Sequence, residues 1–381
     1  VNWSRFNFRT LFALLAIALS GAPALAAETT TAPSYSVVRD AKVPCNIHVI
    51  KIPRDPLRWE VRTTHAYGKA LGLEKLTAQL QRLESEATVA AINGDYYVRH
   101  GTFAGDPRGL QIVNGELISG PTDGVSFWID ALDHPNIGTT SARFSIEWPD
   151  GSSTPYEMNA PGDDRSLVLL TPAAGSSIKS RGGTDIILER HENQPWLPLR
   201  PGRVYSAKVQ RLQKSRELRI DSDTLALSVG RRLSIPKLSQ GAIIKISTHT
   251  EPSLRGVSEA LSGGPILVRD RKKVPIKTVA SDSYIFSSMR ERHPRSAIGW
   301  NDHHFFLVSV DGRQPGVSEG LTLDEFSVQL IKLGCTHAIN LDGGGSATLW
   351  YDGKIRNFLC DGYERKIANG LSFVERKLPE R

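Results

Sequence analysis

The chain predicts an α+β fold in which β-rich mixed sheets carry a few packed helices and place a cleft at strand ends. Three observations predict it. Short alternating or apolar runs bounded by turn residues recur along most of the length. Gly and Pro number 33 and 22, enough to supply those turns. Two segments repeat their apolar residues at helical rather than strand spacing. With 381 residues, 40% of them hydrophobic, the chain can bury a full core as one elaborated domain or two smaller ones.

The elements follow in order. Arg5 and Arg9, the apolar run from Leu11 to Leu19 and the small residues of Pro23-Ala24-Leu25-Ala26-Ala27 read as a secretory signal over residues 1–26. That run is short for a membrane span, so the remaining domain, residues 27–381, is expected to be periplasmic or secreted without stable membrane insertion. Residues 27–36, mostly Thr, Ala, Pro and Ser, are expected to be a linker with nothing to bury. His48 to Ile52 and Trp59 to Thr63 alternate as strands. Leu73, Leu76, Leu80 and Leu83 mark an amphipathic helix over residues 72–87. It leads into an apolar strand, Thr88 to Ile92, that stops at Asn93-Gly94-Asp95-Tyr96-Tyr97.

Gln111 to Ile118 forms a hairpin about Asn114-Gly115, and Tyr351 to Lys354 repeats the device with Asp352-Gly353. Between about 125 and 255, short strands such as Arg143–Trp148, Ser166–Leu170, Val204–Leu212 and Ile243–His249 make a β-rich inserted segment with no concentrated chemistry. Chemistry resumes at Leu261-Ser262-Gly263-Gly264-Pro265, then at the strand Ser296 to Trp300, and then at Phe305 to Val310, which ends in Asp311-Gly312-Arg313. A helix over 322–333 has a capping box at Thr322 and Glu325 and a glycine stop at Gly334. The strand from Cys335 to Leu341 delivers Asp342-Gly343-Gly344-Gly345-Ser346. Two strands thus end in Asp-Gly across one crossover, which puts Asp311 and Asp342 at the same sheet edge.

The formal charge is +7, and removal of residues 1–26 lowers it by two, through Arg5 and Arg9. A mildly basic domain suits an anionic partner. The absence of a dense Lys/Arg block with interleaved aromatics argues against nucleic acid. The 3 cysteines allow at most one disulfide, and Cys335 and Cys360, on either side of the glycine turn, are the expected pair. No Cys-x-x-Cys pair or His-Glu-x-x-His helix signals a zinc site, and no cofactor is implied.

The candidate site is centred on Asp342. A hairpin needs one glycine, and three in a row add an entropic cost that a turn does not require. The run therefore points to a carboxylate that substrate approaches closely, with backbone N–H groups of Gly343, Gly344 and Gly345 able to form an anion site. Asp311 is the second candidate acid. Glu325 is accounted for by its cap. Arg295, entering its strand beside His293, can act as a bidentate clamp for phosphate or carboxylate. Asn93, at a strand end, can hydrogen-bond a hydroxyl or a phosphate oxygen. Trp300, Trp350 and Tyr96 are core aromatics or ring-stacking surfaces, and His303 and His304 are surface residues.

Five ordered stretches resemble the phosphodiester glycosidase family: Ala91-Ile92-Asn93-Gly94 with Tyr96-Tyr97, Ser262-Gly263-Gly264-Pro265, Arg295-Ser296-Ala297-Ile298-Gly299, Val310-Asp311-Gly312-Arg313 with Gly320-Leu321-Thr322-Leu323, and Asn340 to Ser346. Asp95 stands where the family would have glycine, and Ser296 where threonine is usual. The resemblance implies hydrolysis of a sugar-1-phosphodiester at the C1–O bond, with a sugar phosphate or anionic glycan as substrate. It assigns chemistry to Asp342 and Asp311, and phosphate binding to Arg295, His293, Arg313 and the Gly343–Gly345 backbone. Asn93, Asn340 and Ser346 would position hydroxyls. The rival expectation is an envelope module that binds the same polymers without turnover.

Overall fold

In the computed structural model, which describes residues 31–39, 44–68, 71–83, 87–214, 216–276 and 289–376, alternating apolar residues gather most strands into three sheets. The expected signal lies outside the described residues. Two α-helices accompany the sheets among the described residues, α1 (Leu76–Gln81) and α2 (Leu323–Lys332). The β-rich α+β class read from the sequence is therefore the class observed.

A seven-stranded sheet has the spatial order Ser34–Arg39, Asn46–Pro53, His304–Val310, Arg295–Trp300, His337–Leu341, Ile266–Arg269, Lys272–Lys273. Its two faces are separated by the period-2 alternation of its strands. Ile50, Ile52, Ile298, Leu307, Ile339 and Leu341 share a core with Ala90, Ile92, Leu349, Leu371 and Phe373 of a five-stranded sheet. On the other side, Ile47, Val49, Phe306 and Val308 pack with Leu323, Phe326 and Leu330 of α2. Burying each such side chain stabilises the fold by about 1.5–3 kcal/mol before chain entropy is charged against it.

Helix α2 begins as its sequence dictates. Glu325 N–H donates to Thr322 Oγ1 at 3.1 Å and Thr322 N–H donates to Glu325 Oε2 at 2.9 Å, a complete capping box. Helix α1 is much shorter than the expected 72–87. Glu74 and Lys75 instead pair as a strand with Lys366 and Ile367, and the Glu74 carboxylate holds the Arg82 guanidinium. Leu76 and Leu80 still face inward, onto Ala91, Tyr97 and Ile367. A long-range pairing overrode the local period.

The segment around 125–255 belongs to a twelve-stranded sheet with its own core, including Phe144, Ile146, Trp148, Tyr205 and Ile246. That sheet also takes in the Asn114-Gly115 hairpin and the strand Glu259–Gly263, so it reaches beyond the expected segment at both ends. The expected Cys335–Cys360 bridge is not formed. Cys335 is sealed in the core under α2, where burial pushes its thiol up to about 12. Cys360 instead lies with its Sγ 3.6 Å from Arg313 Nη1.

One topological fact positions the site. Arg295–Trp300 runs antiparallel to both neighbours, with Arg295 opposite Val310 and Ser296 opposite Leu341. Two strands therefore leave the sheet, at Asp311 and Asp342, at the edge where Arg295 enters it. The turn after Asp342 then crosses to Leu349–Tyr351, which pairs with Ala87–Asn93 in the five-stranded sheet.

Candidate active site

The crossing turn is held by Asn93. Its Nδ2 donates to the Asp342 carbonyl at 2.6 Å, while its Oδ1 accepts from Ser296 Oγ at 2.7 Å and Thr348 N at 3.1 Å. Asn93 thus ties both sheets to the turn and is buried beneath it. The expected contact with a substrate hydroxyl is corrected: every polar atom of this amide is engaged with protein.

The glycines serve close packing. A side chain at Gly343 would sit 2.6 Å from the Pro294 carbonyl. Gly344 has φ +58°, and a Cβ at Gly345 would fall 2.0 Å from Arg365 Nη2 and 2.1 Å from Asp361 Oδ2. The missing side chains let an Arg–Asp ion pair lie directly on the turn. Two of the expected anion-binding donors are already used, since Gly343 N–H donates to Asp342 Oδ1 at 2.9 Å and Gly344 N–H to the Pro294 carbonyl at 2.9 Å. Anion binding must rest mainly on side chains.

Those side chains are present. A cavity of about 730 Å³ opens over the turn, lined by Asp342, Gly343, Gly344 and Gly345, by Tyr96 and Tyr97, and by His293 with five arginines: Arg99, Arg108, Arg295, Arg313 and Arg365. Asp342 is the one carboxylate in that lining. Arg295 is 5% exposed, and its guanidinium donates from Nε to the Leu321 carbonyl at 2.8 Å and from Nη2 to the Glu291 carbonyl at 2.7 Å. Burial lowers its pKa to about 10, so it remains a cation at neutral pH. Arg365 pairs with Asp361 at 2.6 Å, and Arg313 lies 3.8 Å from the same carboxylate.

Burial raises the pKa of Asp342 above the ordinary aspartate range, opposed by the Ser346 hydroxyl, the Gly343 N–H and the charges of Arg365 and Arg99. Behind it, Asp95 is buried at the start of the loop after the Ala87–Asn93 strand, and its Oδ2 has no hydrogen-bond partner. Burial, reinforced by the Asp342 charge, pushes Asp95 up to about 8. Burial thus favours the neutral form of both carboxyls, but only Asp342 lines the cavity.

Asp311 is the main correction. It leaves the sheet at the right edge, yet its side chain turns toward the neighbouring strand Asn46–Pro53. Asp311 Oδ2 lies 2.9 Å from His48 Nε2, and Oδ1 accepts from Phe358 N at 2.8 Å. Tyr35 Oη lies 2.8 Å from His48 Nδ1 and extends the chain. Asp311 is not in the cavity lining. Strand order fixes the edge a residue reaches but not the neighbour its side chain selects.

Asn340 and Ser346 lie under the site, both almost fully buried. Asn340 Nδ2 donates to Tyr96 Oη at 2.9 Å and to the Gly264 carbonyl at 3.0 Å, which sets the ring that faces the cavity. Neither residue lines the cavity, although the buried Oδ1 of Asn340 has no hydrogen-bond partner. His293, Arg295 and Arg313 line the cavity. Trp300 is a core residue stacked on His337 at 5.3 Å.

Sequence reasoning missed Arg99, Arg108, Arg365 and Asp95. Arg99 and Arg108 belong to the polar and aromatic loop after Asn93, which marked the place without marking the residues. Arg365 follows the last hairpin and has no local motif. Among the described residues no cluster of His, Cys, Asp and Glu has the arrangement to hold a metal ion, and no helix is long and apolar enough to cross a membrane.

The fold is shared with solved structures. A hypothetical protein from Synechocystis superposes with a TM-score of 0.72 at 20% identity, over 90% of this chain and 61% of that one. A Burkholderia pseudomallei K96243 protein, named as a candidate exported protein, gives 0.65 at 18% identity, over 87% and 74%. An uncharacterized SPbeta prophage-derived protein of Bacillus subtilis strain 168 is 32% identical over 119 residues, which span 31% of this chain and 18% of that protein. Residues 202–374 match the sequence profile named phosphodiester glycosidase. That stretch, which carries Arg295, Arg313, the Asp342 turn and Arg365, is thus similar to the phosphodiester glycosidase family.

Proposed function

We propose that the protein hydrolyses a sugar-1-phosphodiester at the C1–O bond, releasing free sugar and leaving a phosphomonoester. The observation that carries this reading is the composition of the cavity, in which a single carboxylate faces five guanidinium groups and an imidazole. A phosphodiester brings one negative charge, and cleavage at C1 raises that charge on the departing phosphate. Preorganised cations stabilise charge that develops in the transition state, and planar guanidinium groups match phosphate oxygens.

The one-carboxylate lining fits this leaving group. Ordinary glycosides need an acid to protonate the departing oxygen and a second carboxylate to assist attack. A phosphate departs without a proton, so one of those two roles falls away. Asp342 then takes a proton from the attacking water. As that proton moves, the water oxygen bonds to C1 and the C1–O bond breaks with its electron pair going to the phosphate; the negative charge that Asp342 still carries before the transfer is complete stabilises the oxocarbenium-like carbon, and the products are free sugar, phosphomonoester and protonated Asp342. Arg295 and Arg313 hold the phosphate, His293 lies beside them, and Asn93 keeps the Asp342 backbone in register. The expected secretory signal supports action outside the cytoplasm, on an exopolysaccharide or cell-wall glycopolymer.

The test is incubation of the purified protein with a diester of N-acetylglucosamine-1-phosphate, with free sugar and phosphomonoester assayed together. Equal release of both is expected. Binding of the diester without release would reassign the cavity to a polysaccharide-binding module.

A further inference from the structure

The inserted segment in which the sequence showed no concentrated chemistry carries the net charge of this protein. Residues 177–240 hold 13 Lys and Arg against 6 Asp and Glu, an excess equal to the formal charge of +7 for the whole chain, so all other residues sum to zero. The same segment forms a groove of about 600 Å³ at one end of the twelve-stranded sheet, where Thr184–Arg190 starts and Val204–Gln213 and Leu225–Val229 stop. This groove shares no lining residue with the site cavity.

Lys214, Arg231 and Lys237 line the groove, and no Asp or Glu does. The Arg231 guanidinium is held by Asp164, with Nε 3.0 Å from Oδ1 and Nη2 2.9 Å from Oδ2. Lys214 and Lys237 are exposed and form no ion pair with a described residue. Two positive charges thus lie at the groove without a counter-charge, an arrangement that favours an anion. One wall is the stretch 234–238, whose backbone forms no hydrogen bond with another described residue. Its N–H and C=O groups keep their bonding capacity and can meet hydroxyls. Leu212, 40% exposed, adds an apolar face with Ile235 and Leu238.

Cations, open backbone groups and aliphatic side chains together match a sugar that carries an anionic group, whose hydroxyls meet the amides and whose C–H face meets the leucines. No aromatic ring lines the groove, so the stacking platform used by single-stranded nucleic acid is missing. The excess charge extends over the whole segment, more than one small anion can engage. We propose that this groove docks an anionic glycopolymer, with its charged groups at Lys214 and Lys237 and its sugar faces on Leu212 and Ile235. The inference rests on the sugar-1-phosphodiester reading and extends it: the polymer that supplies diesters to the site cavity is also held on the inserted sheet, away from the reaction.

The experiment measures binding of the full protein to a phosphomannan, whose mannose-1-phosphodiesters supply the anion, and to the same mannan stripped of phosphate. Affinity electrophoresis is run at low salt, with the methyl diester of N-acetylglucosamine-1-phosphate in excess to fill the site cavity. Wild type is expected to bind the phosphomannan despite the diester, to bind the neutral mannan at least tenfold more weakly, and to release the phosphomannan at about 0.5 M salt. Lys214→Ser combined with Lys237→Ser should weaken phosphomannan binding about tenfold, and Ile235→Asp, which brings a negative charge into the groove, should do the same. Both variants should keep the melting temperature and the turnover of the methyl diester. Phosphomannan binding that survives in both variants, or that the diester abolishes in wild type, overturns the groove and leaves the main reading standing. Retention of phosphatidylglycerol vesicles through the same two lysines, with phosphomannan unbound, overturns the polymer in favour of a membrane surface. If wild type cleaves no diester, the catalytic reading fails, and loss of phosphomannan binding in the two variants still supports the groove.

Discussion

The side-chain amide of Asn93 donates to the backbone carbonyl of Asp342 at 2.6 Å, across 249 positions of sequence. Through this bond the five-stranded sheet fixes where the seven-stranded sheet presents its carboxylate. Replacing Asn93 by Ala leaves the Asp342 carbonyl, Ser296 Oγ and Thr348 N–H without that partner. Asn93→Ala should lower kcat about tenfold or more with a smaller change in KM, and should lower stability by about 2–3 kcal/mol in a denaturant titration. A change confined to KM would place Asn93 in contact with substrate instead.

Asp342→Asn should reduce turnover at least a thousandfold while the melting temperature holds or rises, because a carboxylate kept partly buried is replaced by a neutral isostere. Sugar release and thermal unfolding read the two effects separately. With Asp342 acting on water, the first sugar released should have the inverted anomeric configuration by NMR. Retention would recast Asp342 as a nucleophile.

The pH profile follows from the charges around Asp342. The base must be ionised, and burial raises its pKa, so the acidic limb of kcat/KM should lie above the ordinary aspartate range. Arg365 lowers that pKa. Arg365→Met should therefore move the limb to higher pH and Arg365→Lys should move it back, whatever happens to the plateau. A limb that stays fixed in both variants would separate Arg365 from the ionisation of Asp342.

Asp95 gives a stability signature of its own. Its pKa is raised from 3.8 to about 8 in the folded state, so the folded protein binds the proton more tightly than the unfolded chain. That contribution is complete below the unfolded pKa and is lost as pH rises through the folded one. Over the window between those two values it falls by about 1.4 kcal/mol per pH unit. Asp95→Asn should gain stability relative to wild type as pH rises across this window. Parallel stability curves for the two proteins would mean that Asp95 is already ionised in the fold.

Asp311→Ala separates edge position from chemistry. The change strips His48 Nε2 and the Phe358 N–H of their buried partner, which should cost about 2–4 kcal/mol. Turnover at a temperature where the variant remains folded should stay within about tenfold of wild type. A thousandfold loss in the folded variant would restore Asp311 to the reaction.

Much of the fold was legible because it was local. Period-2 alternation marked the strands, Asn114-Gly115 and Asp352-Gly353 marked hairpins, and Thr322 with Glu325 marked the start of α2. Helix α1 was overestimated because Glu74 and Lys75 answer to a strand nearly 300 residues away. The sequence by itself determined the family motifs, the edge at which Arg295, Asp311 and Asp342 gather, and the need for glycine after Asp342. Tertiary structure alone decided which of the two aspartates faces the cavity. It also revealed that the glycines make room for the Arg365–Asp361 pair, and that Arg99, Arg108 and Arg365 complete the cationic lining. The physical reason is directional: backbone pairing follows from local pattern, whereas a side chain's partner depends on which distant strand lies beside it.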